Sequence, residues 1–530
     1  MKKILLIGAA VLSSTAAFAE APSPRAAFAA HSHMCRKRNV PFETSVSNLV
    51  RWVRRHDVKA FGIGSPWTPL QASRMIRCER QDRHRYYAGE LKDEDFVDKA
   101  DLCAMLASVS NECSGTTFFL DNETPKNRYG HIWYLGYSPI VSGWHDYSQD
   151  RRTAFTDDEL DDPSCDINPL TGKAHIRRSY GEVVAEQRKA GALAIWAHPT
   201  SWWTKDGDPK GPFVTNIAAD MPVQLFADGG LDGLTVMGYD AYHRDYQNLW
   251  FAILDMGYRV PGLAEQDSSP AHGIIGKKDE RLLNYILSCD HAPSVDEIKS
   301  AVKSFNVVMS SGPDLRLMKL EEKNGKISVT VYAAPAAGES ELALVEILGR
   351  SGEVRAVKTN VKEGTYEFEF PSRERDSWFV ARAFGEGVAD PRSVPQQTIK
   401  ISAITNPMWL GRASVPPKPV KTRLVIADPR STNARWRIET AAGVVVKSSR
   451  GSATLEVSPL DILIISYDDG RTRRLPLYMA NARVRELMDY IAEGRFRFDS
   501  DRTLYPGEVP VRSFRFDEFK NALRNQTISL

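Results

Sequence analysis

Apolar and polar positions along this chain change their spacing near residue 313. Before that point, short apolar runs alternate with stretches of helical period. Residues 27–30 form one such run. Val46, Leu49, Val50 and Val53 then follow at the i, i+3, i+4, i+7 spacing of an amphipathic helix, and residues 58–64 (VKAFGIG) predict a strand. A helix is expected over 93–110, with Phe96, Val97, Leu102 and Met105 in its buried stripe. Strands at 116–120 (TTFFL) and 131–135 flank a turn, and residues 138–178, rich in Asp, Ser, Gly and Pro, predict a long loop or lid. A helix around 180–189 leads into a buried strand at 192–197 (ALAIWA). Further strands are expected at 231–237 and 258–264, with a helix near 246–256 between them. Ser294 and Glu297 form a capping box that opens a last helix to residue 305, and a run at 307–309 closes the series. Strand–helix alternation of this length predicts an α/β fold, either a parallel barrel or an open sheet.

After Pro313 the pattern becomes short alternating runs separated by turn residues, at 326–332, 341–348, 353–358, 366–370 and 378–383. These predict an antiparallel β-sandwich of roughly immunoglobulin size. Pro416, Pro417 and Pro419 read as a linker. Beyond them, runs at 423–426, 435–439, 443–447 and 462–467 suggest a second β module, followed by helices at 482–493 and near 516–524. The expected division is a barrel or sheet domain over 25–313, a β-sandwich over 314–412 and a C-terminal β-rich module with terminal helices over 413–530.

Composition adds the compartment. Lys2-Lys3, an apolar stretch from Ile4 to Ala17 and the small-x-small sequence Ala17-Phe18-Ala19 together make a secretory signal, with cleavage expected after Ala19 and a periplasmic or secreted mature chain. No later stretch is apolar for long enough to predict a membrane span. At 530 residues the chain exceeds one ordinary domain. Lys+Arg 69 against Asp+Glu 67 leaves a net charge of +2, so nothing implies nucleic acid as a partner. The six cysteines show no CxxC spacing, and an oxidising compartment suggests pairing among Cys78, Cys103 and Cys113.

The chemistry-bearing residues cluster at the ends of the apolar runs. His31 and His33 end the first. In a strand both imidazoles would point to one face and converge on one metal ion, whereas a surface loop would show the same letters. Glu123 follows the TTFFL run, His131 comes eight residues later, His198 ends ALAIWA and Asp267 follows the run that starts at 258. In a parallel barrel the C-terminal strand ends share one face, where active sites are found. Four imidazoles and two carboxylates there make the N/O donor set that Zn, Mn or Fe accepts. Each also has a structural reading: a histidine finishing a strand, a solvated acid, a helix cap. His243, His272 and Asp245 are the candidates for a general acid, with Asp240 beside them. Trp202, Trp203 and the Trp133-Tyr134 pair are candidates to line a pocket for an aromatic or sugar ring, and core packing accounts for them equally well.

The ordered motifs His31-Ser32-His33, NETPKNRYGH (122–131), IWAHP (195–199) and VPGLAEQD (260–267) resemble those of the PHP (polymerase and histidinol phosphatase) superfamily of metal-dependent hydrolases, in the CehA/McbA-like branch. The segments DSWFVARA (376–383) and AITNPMWL (403–410) are similar to the β-domain that follows the barrel in that branch. The resemblance covers about residues 27–412. It implies a distorted (β/α)7 barrel with metals at the strand ends. By matching position, His31, His33, Glu123 and Asp267 would hold one ion, and Glu123, His131 and His198 a second. Three histidines of trinuclear relatives have no counterpart: Ser65-Pro66 stands where Asp-His is common, Ser269 where a His follows the last Asp, and Cys35-Arg36-Lys37-Arg38 where a further His is expected. One or two divalent ions are therefore expected, with Arg36 or Arg38 receiving an anionic part of the substrate.

The implied reaction is attack of a metal-bound hydroxide on a phosphoester or a carboxylic or carbamic ester-like bond of a small or glycan-derived molecule. The alternative is a catalytically decayed barrel that binds a glycan or a protein partner, for which the altered motifs argue. The absence of a GxSxG elbow counts against a serine hydrolase.

Overall fold

The computed structural model describes residues 23–32, 42–64, 99–123, 132–137, 187–198, 231–238, 244–255, 257–266, 282–386 and 399–411, strands between 422 and 476 and at 525–529, and three short hairpins over 67–77, 165–176 and 202–215. The expected signal sequence, the proline linker and the helices expected at 482–493 and 516–524 lie outside the described residues.

The first half contributes β1 (Arg25–Ala29), α1 (Phe42–Arg55), β2 (Val58–Ile63), α2 (Lys99–Glu112), β3 (Thr117–Glu123), β4 (Ile132–Leu135), β5 (Leu193–Trp196), β6 (Gly233–Met237), α3 (Arg244–Asp255), β7 (Gly262–Ala264), β8 (Leu283–Leu287), α4 (Val295–Lys303) and β9 (Val307–Ser310). The apolar spacing that predicts α1 is met in its packing, since Val46, Leu49, Val50 and Val53 are all buried. At α4, the Ser294 side chain accepts from the Glu297 N–H while the Glu297 carboxylate accepts from the Ser294 N–H, completing the capping box. β8 was not foreseen. Part of the stretch expected as a lid forms a short hairpin, Cys165–Ile167 with Ala174–Ile176.

These strands open a 14-stranded sheet in which β7-β6-β5-β4-β3-β2-β1 lie side by side in chain order, followed by β8 and β9. Neighbours β1/β2, β2/β3, β5/β6 and β6/β7 are parallel. β4 is antiparallel to both β3 and β5, which corrects the expectation of a wholly parallel arrangement. The stretch between Glu123 and Ile132 is too short for the crossover a parallel pair requires.

The outer edge of β7 is not left bare. Asn284, on β8, accepts from the Ala264 N–H and donates to the Ala264 carbonyl, both at 2.8 Å. Asn406 repeats the device at Gly262, accepting from its N–H at 2.7 Å and donating to its carbonyl at 3.1 Å. The Gln266 N–H donates to the Ala30 carbonyl at 3.1 Å, so the chain just past β7 reaches the end of β1. The seven strands thus curl back on themselves, and two carboxamides take the place of a missing strand partner.

The second half adds β10 (Asp314–Lys323), β11 (Lys326–Ala334), β12 (Leu342–Leu348), β13 (Val354–Val361), β14 (Gly364–Pro371), β15 (Trp378–Phe384), β16 (Ser402–Thr405) and β17 (Met408–Trp409). β9 pairs with β16, and the large sheet runs on through β15 and β12 to β13. The change of pattern near 313 is therefore not an edge of the sheet. A separate antiparallel sheet, β10-β11-β14, shares a core with this extension through Ile327, Val329, Val331, Val345, Ile347, Phe368 and Phe379. Trp378, Val380 and Ile404 pack into the same core as Phe28, Trp133 and Trp250, binding the two halves into one apolar interior.

Beyond these lie β18 (Thr422–Ala427), β19 (Arg435–Glu439), β20 (Val445–Arg450), β21 (Ala453–Val457), β22 (Ile462–Ser466), β23 (Thr472–Pro476) and β24 (Asn525–Ser529). They form the sheets β21-β18-β24 and β20-β19-β22-β23 around Leu424, Ile426, Trp436, Ile438, Leu463 and Ile465. The protein is mixed α/β, with one large mixed sheet and further sheets that are antiparallel except for the parallel β18/β24 pair. No helix among the described residues is long and apolar enough to cross a membrane.

Candidate active site

The ends of β1, β3, β5 and β7 meet at one mouth of the curled sheet. β4, running the other way, brings its first residue there, with Ile132 opposite Trp196 and Trp133 opposite Glu123. β4 therefore starts at the mouth where its parallel neighbours end.

His31 and His198 are brought together at this mouth. Their rings lie 5.7 Å apart between centroids and 26° from parallel, and both residues are buried, at 1% and 2% exposure. Trp133 stacks on His31 with centroids 5.8 Å apart and planes at 22°. Both histidines sit at positive φ, 59° for His31 and 21° for His198. Left-handed backbone is unfavourable for a residue with a Cβ, and its use at two facing strand ends marks a place where geometry is bought with strain.

Two buried acids hold those backbones. The His31 N–H donates to Asp121, and the His198 N–H donates to Glu265 Oε1 at 2.9 Å. Glu265 Oε2 lies 2.8 Å from His31 Nδ1 and accepts from the Thr235 hydroxyl at 2.9 Å. Thr235 in turn accepts from the Trp133 indole N–H at 3.4 Å. Neighbouring glycines make room for these carboxylates. A Cβ on Gly62 would sit 2.5 Å from Asp121 Oδ2, and one on Gly238 would sit 3.0 Å from Glu265 Oε1.

Of the six expected metal ligands, the described side chains include His31 and His198, and the structure joins them. Glu123 ends β3, but its side chain, like those of Asp245 on α3 and Trp202 on its short strand, lies outside the described set. So do His33, His131 and Asp267, the general-acid candidates His243 and His272, and Arg36 and Arg38. Among the described residues no three His, Cys, Asp or Glu side chains gather as a metal-holding group. Trp133 and Tyr134 are buried, at 0% and 1% exposure, in keeping with the core-packing reading of the pair. Cys113 is a buried free thiol, so it does not join the expected pairing.

Asp121 and Glu265 are the site residues that sequence reasoning missed. Each directly follows an apolar run, after Leu120 and Ala264, and each precedes an expected ligand acid by two residues. An acid immediately ending a buried run was the available signal.

No family model matches the chain, and no curated protein or solved structure does either.

Proposed function

We propose that the protein is an exported metal-dependent hydrolase of the PHP type, closest to the CehA/McbA-like branch, whose distorted (β/α)7 barrel is formed by β1 to β7. The observation that carries this reading is the convergence of His31 and His198, remote in sequence, as stacked and buried imidazoles over a carboxylate. The chain-order arrangement of seven strands and its closure from β7 back to Ala30 support it further.

The donor set fits a divalent ion such as Zn, Mn or Fe. Buried imidazoles backed by carboxylates are the usual surroundings of such ions, and a cation offsets the cost of burying two acids. His31, His33, Glu123 and Asp267 would hold one ion, and Glu123, His131 and His198 a second. Bound there, the ions would acidify a water and stabilise negative charge on the oxygen of a phosphoester or a carboxylic or carbamic ester.

The chain's own contribution is to position and to exclude water. Asp121 and Glu265 fix the two histidine backbones, Trp133 fixes the His31 ring plane, and the apolar floor keeps solvent from the donors. Export follows from the N-terminal signal pattern.

The test is metal quantification on the purified protein, together with chromogenic phosphate, carboxylate and carbamate esters assayed on wild type and His198→Ala. Stoichiometric metal is expected, with activity on one ester class that chelation and His198→Ala both abolish. Activity that survives both treatments would overturn the proposal. Sub-stoichiometric metal with no turnover would favour the decayed binding barrel.

A further inference from the structure

The geometry points to Glu265 as the positioning residue of the site: its carboxylate locks the His31 ring with the proton on Nδ1, which makes Nε2 the donor atom offered to a cation. This rests on the reading of His31 as a metal ligand, and it assigns a role to a residue outside the six expected ligands.

The direction of every proton around Glu265 follows from its neighbours. An indole N–H only donates, so Thr235 Oγ1 accepts from Trp133. The single Thr235 hydroxyl proton is then directed at Glu265 Oε2, 2.9 Å away. The backbone N–H of His198 only donates, and Oε1 takes it. A carboxylate accepts at both oxygens, so the 2.8 Å contact between Oε2 and His31 Nδ1 is completed by a proton on Nδ1. The neutral imidazole then carries its lone pair on Nε2.

Packing prevents the ring from escaping this arrangement. Trp133 covers one part of it and His198 another, both nearly parallel to its plane. A flip exchanging the two ring nitrogens would break the contact with Glu265 within a fully buried pair. A carboxylate behind the far nitrogen is what orients metal-binding histidines generally, and losing such a partner lowers metal affinity about 10- to 100-fold.

The experiment uses the mature full-length protein labelled with 15N-histidine and stripped of metal, and reads the tautomer of His31 from its ring nitrogen shifts. Wild type is expected to show Nδ1 protonated. In Glu265→Gln the single carbonyl oxygen cannot serve His31, His198 and Thr235 together, so the ring should shift to Nε2 protonation or to a mixture. Zinc affinity, measured by competition with a chromogenic chelator, should fall about 10- to 100-fold in the same variant. Thr235→Val, which leaves the carboxylate in place, should keep the wild-type tautomer.

A His31 ring protonated at Nε2 in wild type overturns the assignment without any variant, so it remains testable if Glu265→Gln does not fold. An unchanged tautomer in Glu265→Gln overturns it as well. If the tautomer behaves as stated but wild type binds no zinc, the metallohydrolase reading fails while the assignment of Glu265 stands.

Discussion

Among the places where the described residues bury polar side chains are the mouth around His31 and His198 and the seam where β7 meets β8 and the second half. The two differ in kind. At the seam the groups are neutral and reciprocal: each carboxamide gives one hydrogen bond to a β7 residue and takes one from the same residue. At the mouth they are carboxylates and imidazoles, the two imidazoles mounted on backbone of positive φ and held by the carboxylates. A neutral matched network stabilises a fold. Strained backbone beside buried acids is the kind of feature that clusters at functional sites. Polar burial alone therefore does not single out the mouth; the combination of buried acids, convergence and positive φ is what supports the proposed site.

The sharpest way to break this contrast is at the seam. Asn406→Leu strips partners from the Gly262 N–H, the Gly262 carbonyl and the Val307 carbonyl, all buried. At about 1–3 kcal/mol for each orphaned group, we expect a loss of about 4 kcal/mol or more, read from the urea unfolding midpoint. Because the same bonds hold β7, metal binding should fall along with stability. A stable variant with intact zinc binding would show that the seam does not support the mouth.

A pH titration probes a further contact between the two halves. Asp255, at the end of α3, accepts from the Ser351 N–H and hydroxyl and from the Trp378 indole, tying α3 to the second half. Burial pushes its carboxyl from 3.8 up to about 6, against the opposing pull of the Ser351 hydrogen bonds and the Arg350 charge. With the folded value above the unfolded one, the folded state binds the extra proton. The contribution is therefore present in acid and is lost as pH rises from about 4 through about 6. Relative to Asp255→Asn, wild type should lose on the order of 2–3 kcal/mol across that window, since one pKa unit is about 1.4 kcal/mol. A pH-independent difference between the two proteins would refute it.

Much of this architecture is legible in the sequence, and the failures are physical. Helix α1 and strands β2, β5 and β6 follow from apolar spacing because burial is what spacing encodes. The direction of β4 is not encoded there, since an apolar run reads the same either way. Asn284 and Asn406 could not be recognised, because their partners are backbone atoms of residues 262 and 264, and nothing in an asparagine's neighbours announces a distant edge. His31 and His198 stand out at strand ends, whereas Asp121 and Glu265, directly after apolar runs, are overshadowed by the expected ligand acids two residues on.

At the mouth, Gly62→Ala probes how tightly the acids are seated. The new Cβ would meet Asp121 Oδ2 at 2.5 Å, its Cβ at 2.7 Å and the Phe119 ring at 2.9 Å. Overpacking of this kind costs about 1–3 kcal/mol. Since Asp121 anchors the His31 backbone, zinc affinity should fall by more than the loss of stability explains. A shift in melting temperature with affinity unchanged would mean that Asp121 serves the core alone.

The smallest effect comes from the element most plainly written in the sequence, and it serves as the control. Ser294 caps α4 through the Glu297 N–H, and the Glu297 carboxyl is drawn down to about 2, chiefly by its bonds from the Ser294 hydroxyl and N–H. Ser294→Ala should cost roughly 1 kcal/mol, the usual value of such a cap. With the folded pKa of Glu297 depressed, this support is present above the ordinary carboxylate range and fades as pH falls toward about 2. The cap touches neither β7 nor the two histidines, so the variant should lower the melting temperature while leaving zinc affinity and the His31 tautomer as in wild type. If Ser294→Ala weakened zinc binding as Asn406→Leu does, any loss of stability would loosen the mouth, and the distinction between a supporting seam and a chemical site would lose its force.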